Sequence, residues 1–222
     1  MKNIALIFFA SFSLIFSQES FSQTFGVKAG LNLSNVIFKS NAADFMVVPG
    51  FHAGASAEFP INRVFLFETD LLFSSRGYRE SYENQYFEFK EETHYNYFEV
   101  PLKVKAFFST PVMTFSVFAG PYFGFGICGK DKGIESSNGE ITSWSDKIEW
   151  GSGQNDLFKR LDYGFVFGPG VQIKNIELSL SYGLGLANIS SISALKVHNR
   201  VIEISVGYKF RNELTRPVQL SE

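Results

Sequence analysis

Apolar and polar residues alternate along eight stretches of this chain. In the first, residues 25–34, every second residue is apolar and the intervening ones are glycine or polar. A period of two over ten residues is typical of a β-strand with one face in an apolar environment. The pattern recurs at residues 51–59, 65–76, 98–106, 115–126, 162–173, 176–187 and 202–210. The sequence therefore predicts an all-β fold of eight strands.

The connections between these stretches differ in length. Those after the second, fourth and sixth strands have about two to five residues, whereas the other four have about ten to over thirty. Short turns at one end and long loops at the other are typical of an antiparallel up-and-down transmembrane β-barrel. Both chain ends then lie on the side of the short turns, which is the periplasm in an outer-membrane barrel.

Periodicity does not say which face of the strands is the outside. A soluble barrel would crowd the apolar side chains, many of them among the 26 phenylalanines, into a narrow lumen. A transmembrane barrel would place them against lipid and enclose the polar face. We therefore expect a membrane barrel whose lumen holds the charged residues Lys28, Glu58, Glu68, Asp70, Arg76, Glu99, Lys103, Lys105, Asp162, Glu177, Glu203 and Lys209.

Composition excludes several other classes of protein. No apolar run after the first two dozen residues reaches the 18 or so that a spanning helix needs. The net charge of −2 argues against a nucleic-acid partner. Cys128 is the single cysteine, so the chain forms no internal disulfide and has no cysteine cluster for structural zinc.

Residues 1–22 have the pattern of a cleaved export signal. Lys2 provides the positive charge, residues 4–16 are mostly apolar, and Ser20 and Ser22 are the small residues before the cleavage point. A retained signal anchor is the alternative. We expect a barrel domain over residues 23–211 and a periplasmic tail over residues 212–222.

Several segments resemble the PorT-like outer-membrane β-barrel family. They are FGVKAGLNLSNV at residues 25–36, YFEVPLKVK at residues 97–105, FAGPYFG at residues 118–124 and Asp162-Tyr163-Gly164. The resemblance covers residues 24–211. It implies an eight-stranded barrel in the outer membrane of a Gram-negative bacterium. Members of the family have been linked to secretion and gliding machinery, and no residue here singles out that subgroup.

The predicted lumen suggests two functions. Its charges could line a pathway for an ion or small solute, or they could neutralise one another as a salt-bridged plug, which the narrow bore of eight strands favours. The candidate residues are Lys28, Glu68, Asp70, Arg76, Glu99, Lys103, Lys105 and Glu203.

Two loops offer candidate interaction surfaces. The acidic and aromatic segment 79–92, with Tyr82 and Tyr86, could hold a divalent cation or a partner. We favour two strands that continue beyond the bilayer, with Tyr78, Tyr95 and Tyr97 in an aromatic girdle. In the segment 129–160, Trp144 and Trp150 could anchor a partner or cap the barrel, and the sequence leaves both open.

We expect no enzyme, no cofactor and no metal site. The three histidines, His52, His94 and His198, lack a recognisable nucleophile motif beside them. The expected partners are outer-membrane lipid, the barrel assembly machinery and a protein that contacts the loops or belongs to a secretion system. The assembly machinery would recognise the last strand through Gly207, Tyr208 and Phe210.

Overall fold

The computed structural model describes residues 23–38, 44–83, 87–137, 140–151, 153, 156–192 and 195–210. The predicted export signal and the predicted tail lie outside these residues. Within them, no helix is long and apolar enough to cross a membrane. The strands are β1 (Thr24–Phe38), β2 (Asp44–Pro60), β3 (Phe65–Glu83), β4 (Phe87–Ser109), β5 (Thr114–Ser137), β6 (Glu140–Lys147), β7 (Leu161–Ile173), β8 (Ile176–Gly185) and β9 (Val197–Phe210).

Eight of these strands close into a ring, which confirms the predicted fold class. Each strand of the ring pairs antiparallel with its neighbours, in the order β4-β3-β2-β1-β9-β8-β7-β5, and β4 pairs with β5 to complete it. The first and last strands are neighbours, with Phe25 opposite Phe210 and Phe38 opposite Val197. Strand β6 stands outside the ring and pairs with β5 alone among the described strands.

The apolar face of the strands lies outside the ring and the charged face lies inside. Along β9, for example, Ile202 and Ile204 are about half exposed whereas Glu203 and Ser205 are buried. On β4 the outward apolar residues run from Phe98 to Phe108. Ten residues at ~3.3 Å each, tilted by about 40°, give a band roughly 25 Å tall, which is the hydrocarbon thickness that such barrels match.

The short turns lie together at one end of the barrel, which we call the turn end. They comprise residues 61–64, 110–113 and 174–175. In the last of them Lys174 has a φ of 53°, the left-handed conformation that a two-residue hairpin turn requires. The opposite end, which carries the other connections, is the loop end.

The loop end differs from the prediction in part. The connections after β1 and β3 shrink to residues 39–43 and 84–86, because the strands beside them continue. For segment 79–92 this continuation is the interpretation that the sequence favoured. Segment 129–160, predicted to be a loop, contains the end of β5 and all of β6, which pair from Lys130–Lys147 to Ser137–Glu140. Cross-strand pairing in this hairpin does not depend on an apolar face, so the sequence carries no alternation there. We call residues 78–83, 87–93, 129–137 and 140–147 the strand extension.

Candidate functional site

Two lysines and two carboxylates meet in the middle of the barrel. Strand β4 points Lys103 inward, where its Nζ donates to Glu68 Oε1 at 2.6 Å and to Asp70 Oδ2 at 2.7 Å. Lys28 of β1 reaches the same oxygens at 2.6 and 3.0 Å. Both carboxylates thus contact both lysines.

A second group of ions lies nearer the turn end. Lys105 Nζ is 3.1 Å from Glu58 Oε1 and 2.7 Å from Glu177 Oε1, and it also contacts Glu68. Lys209 contacts Glu58 and Glu177, each at 2.5 Å. The oxygens of the three glutamates are close enough together to ligate a metal. Because the two ammonium groups contact these oxygens directly, the chain supplies the positive charge itself.

These two groups form one network, which we call the turn-end network. Its eight members are buried and carry four positive and four negative charges, so the network is neutral. They are Lys28, Glu58, Glu68, Asp70, Lys103, Lys105, Glu177 and Lys209.

The charge balance differs nearer the loop end, where one cation serves three acids. Arg76 contacts Glu99 directly and lies 3.5 Å from both Asp162 and Glu203. Its guanidinium also lies over the rings of Tyr97 and Tyr122, 5.8 and 5.4 Å from their centroids. We call Arg76 and its three carboxylates the Arg76 cluster.

Hydrogen bonds hold the carboxylate of Asp162 from the other side. Its Oδ2 accepts from Tyr122 Oη at 3.1 Å and from Asn199 Nδ2 at 2.8 Å. Asn199 Oδ1 in turn accepts from Tyr95 Oη at 2.6 Å. Neutral donors on β5 and β9 thus stabilise one of the two carboxylates that lie 3.5 Å from Arg76, and Tyr95 of β4 supports the donor Asn199.

A serine, a histidine and an asparagine form a chain of hydrogen bonds between the two charged groups. His52 Nε2 lies 2.9 Å from Ser205 Oγ, and His52 Nδ1 lies 2.7 Å from Asn32 Oδ1. This is the order found in hydrolytic triads. All three side chains are buried, and the void beside His52 and Ser205 measures about 10 Å³, the space of one water molecule. The three side chains thereby satisfy one another's hydrogen-bonding groups in the interior of the barrel.

An apolar cap closes the lumen above the Arg76 cluster. Trp150, from the segment between β6 and β7, packs edge-on against Tyr97 with ring centroids 5.8 Å apart and lies 6.3 Å from Phe158. Gly126 lies under the indole, where a Cβ would overlap the ring. The other members of the cap are Val36, Tyr78, Tyr95, Ile148, Ala187, Ile189 and Val197.

The inward face of the strand extension carries a group of acids. Asp131 accepts from Thr93 Oγ1 at 2.7 Å and from Trp144 Nε1 at 3.1 Å. Partial burial, with Asp131 and Glu80 nearby, raises the pKa of Glu91 to about 7. The Trp144 indole lies against Gly133, where a side chain would collide with it.

The structure brings together the eight predicted lumen residues, all of them buried and ion-paired. The predicted girdle is wrong: Tyr78, Tyr95 and Tyr97 point inward into the cap, because they alternate in phase with the lumen residues rather than with the apolar band. Trp150 belongs to the cap, whereas Trp144 belongs to the strand extension.

The remaining predicted residues lie near the surface of the barrel or outside the residues that the structure describes. Tyr82 is 46% exposed on the strand extension, and Tyr86 lies outside the described residues. On β9, Tyr208 and Phe210 are exposed at the turn end with ring centroids 5.4 Å apart, and Gly207 faces inward. Sequence reasoning missed Phe158 and Ile189 of the cap, since no alternation marks their segments.

Several solved structures are similar to this chain. The chain is 14% identical to Ail, the attachment invasion locus protein of Yersinia pestis, over 85% of this chain and 99% of that one, with a TM-score of 0.38. Neisserial surface protein A gives 15% identity, the same two coverages and a TM-score of 0.40. OprG from Pseudomonas aeruginosa gives 12% identity, coverages of 86% and 97%, and a TM-score of 0.38.

No curated protein sequence matches the chain. The sequence profile of the outer membrane protein beta-barrel domain matches residues 16–191, which is most of the chain. The alternating strands, the closed eight-stranded ring and the apolar outer band all fit that profile. The chain belongs to the outer membrane protein beta-barrel domain family.

Proposed function

We propose that the protein is a closed outer-membrane barrel with a structural or interaction role, and that it is neither an open channel nor an enzyme. The observation that carries this proposal is the filled lumen. Each of its twelve charged side chains, in the part of the chain described, lies within 4.0 Å of an opposite charge. A buried ion that already has protein partners is not free to pass a solute along.

The cap supports the same proposal at the loop end. A permeating ion would have to pass Trp150 and Tyr97 before it met Arg76. Opening that route would separate packed aromatic rings and expose the buried carboxylates of the Arg76 cluster. The barrel thus presents a closed end to the loop side.

Conductance in planar bilayers tests whether the ion-paired side chains close the lumen. We expect the refolded wild-type protein to give no stable open steps, and we expect Lys103→Met to behave in the same way. Open steps of constant size that vanish in Lys103→Met would overturn the proposal and favour a small-solute or ion channel.

The strand extension is the proposed interaction surface. It carries exposed apolar side chains beyond the lipid band, including Tyr82, Ile134 and Ile141. A photo-crosslinker at Ile141 should capture a defined protein in cells, whereas one at Ile192, which is also exposed, should not. Identical patterns from the two positions would contradict this role.

The resemblance to the PorT-like family supports a second role, as an accessory of a secretion or gliding machinery. The quoted motif at residues 97–105 supplies Glu99, Lys103 and Lys105 to the lumen and buries Pro101 beside them. Deletion of the gene should then impair protein secretion, and the point variant Glu99→Gln should restore the barrel without restoring secretion. Normal secretion in the deletion strain would leave only the structural role.

We further propose that both termini face the periplasm and that the assembly machinery recognises the end of β9. Truncation after Ser205 removes Tyr208 and Phe210 and should abolish insertion. If the truncated chain still resists urea extraction from outer membranes, this proposal fails. Exposed tags at residue 23 and at residue 222 should be protected from protease in intact cells.

A further inference from the structure

The strand extension has a second face, which points outward like the lipid-facing band of the barrel. Its side chains align across its four strands and continue onto β2, because cross-strand partners share a face. One row runs from Met46 through Arg79, Glu92 and Lys132 to Ser145. The row nearer the barrel places Lys130 directly opposite Lys147. Lysines therefore dominate the part of this face that β5 and β6 form.

Three of these lysines have no compensating charge. Among the described residues, Lys130, Lys132 and Lys147 make no ion pair, and all three are exposed. Glu92 lies opposite Lys132, but its carboxylate contacts Arg79 and His94 instead. Like charges placed directly opposite one another destabilise a strand pair. An anion bound between them would remove that cost.

The three lysines lie where the lipid band ends. Along β5 the outward residues change from Phe125 through Cys128 to Lys130, and along β4 they change from Phe98 through Asn96 to His94. Headgroups occupy roughly 5–8 Å beyond each side of the hydrocarbon. Two to four strand residues at ~3.3 Å each cover that depth. The lysines are thus at the height of the headgroups of the leaflet on the loop side.

A groove beside the lysines has a mixed lining. It encloses about 640 Å³, and its border includes Met46, Arg79, Lys90, Lys132, Ile134 and Ser143 as well as two acids, Glu91 and Glu92. The carboxylate of Glu92 is paired with Arg79 and His94. Basic and hydroxyl groups suit phosphate oxygens, whereas Met46 and Ile134 suit the apolar part of a lipid. A free anion would leave those apolar side chains uncovered.

We propose that Lys130, Lys132 and Lys147 bind the headgroup phosphate of an anionic lipid in the leaflet at the loop end. The lipid's acyl chains lie against the apolar band below, so the site continues the barrel's lipid interface. This binding adds a specific lipid contact to the barrel and is independent of what the loops recognise.

Lipid selectivity in vesicles tests the site. The full mature chain is reconstituted in phosphatidylcholine vesicles that contain trace spin-labelled phosphatidylglycerol or spin-labelled phosphatidylcholine. Electron spin resonance then gives the relative affinity of the protein for the two lipids. We expect a preference for phosphatidylglycerol that falls at least about threefold in the double variant K130Q/K132Q, since each lysine near a membrane surface contributes measurably to anion attraction.

The matched control is K159Q/K196Q, which removes the same charge from the same end but not from this face. Its preference should stay within about 1.5-fold of wild type, because screened charges away from the contact contribute little. The heat-dependent shift in gel mobility verifies that each variant is a folded barrel. An unchanged preference in K130Q/K132Q, or an equal fall in both double variants, would overturn the proposal.

Inorganic phosphate distinguishes a lipid from a free anion. At constant ionic strength, millimolar phosphate should leave the selectivity for phosphatidylglycerol intact, since it lacks the apolar contacts. Loss of selectivity at that concentration would show that the lysines take free phosphate, and the lipid assignment would then be wrong.

Discussion

The two charged regions of the lumen bury their ions in different ways. In the turn-end network four lysines share four carboxylates, and every member contacts at least two opposite charges. In the Arg76 cluster a single guanidinium serves three carboxylates, and tyrosine and asparagine donors provide the remaining contacts. One region is neutral, and the other has two more acids than bases.

This difference indicates which substitutions should destabilise the barrel most. When one ion is removed from a shared network, its partners still contact another counter-ion. When the sole cation is removed, three buried carboxylates lose their only counter-ion. Uncompensated buried charge is far more costly than the loss of one redundant contact. The loss of a cation should therefore cost most in the Arg76 cluster. Three predictions test this comparison in order of decreasing size, and a fourth extends it to the strand extension.

The substitution Arg76→Met should be the most destabilising. It leaves Glu99, Asp162 and Glu203 without a cation, which should lower the free energy of unfolding by about 3–5 kcal/mol. Urea titration of the barrel in lipid vesicles, followed by gel mobility, measures the change. Adding Glu203→Gln should recover part of the loss, and a double variant that is no more stable than Arg76→Met would contradict the account.

The same type of change in the turn-end network should cost less. In Lys103→Met, Lys28 still contacts both Glu68 and Asp70, so we expect a loss of about 1–3 kcal/mol. The measurement is the same urea titration. A loss equal to that of Arg76→Met would remove the distinction between the two regions.

Neutralising one carboxylate in each charged region should have different effects on stability. Glu177→Gln takes one charge from a neutral network and weakens the contacts to Lys105 and Lys209, so it should destabilise the barrel by about 1–2 kcal/mol. Glu203→Gln reduces an excess of acids and keeps a side-chain acceptor for Ser181, so we expect a change within about 1 kcal/mol. The reverse order in vesicle unfolding would mean that the charge balance has been assigned to the wrong region.

The smallest expected effect lies in the strand extension. Burial raises the pKa of Glu91 from the ordinary 4.5 to about 7, so its protonated form stabilises the extension. That contribution is complete below about pH 4.5 and is lost as the pH rises through about 7. In a Trp150→Phe background, the fluorescence of Trp144 should report the transition. Glu91→Gln should abolish it, and an identical transition in that variant would exclude Glu91 as its cause.

The alternation of the sequence predicted most of the barrel and the contents of its lumen. Residues such as Glu203 and Ser205 occupy the face that the period of two assigns to them, because burial of one face fixes strand register. Pro101 and Pro121 lie within strands of the ring, although proline cannot donate to a ladder.

The parts that the sequence did not predict depend on tertiary contacts. Strand β6 forms by pairing with the end of β5, without an apolar face to mark it. The cap forms because Trp150 and Phe158 fold over the lumen from an irregular segment, where they meet Tyr78 on the inward face of β3. The carboxylates that pair with Arg76 come from three other strands. The sequence of one strand does not specify which ion pairs form across the lumen.

Access to the centre of the lumen tests the closed barrel most directly. Ser181 borders the small void between the two charged regions, whereas Ser109 is exposed at the turn end. In a Cys128→Ser background, the rates at which a charged thiol reagent labels Ser181→Cys and Ser109→Cys in vesicles can be compared. We predict rapid labelling at position 109 and labelling at position 181 only after unfolding. Comparable rates at the two positions in the folded protein would contradict a closed lumen.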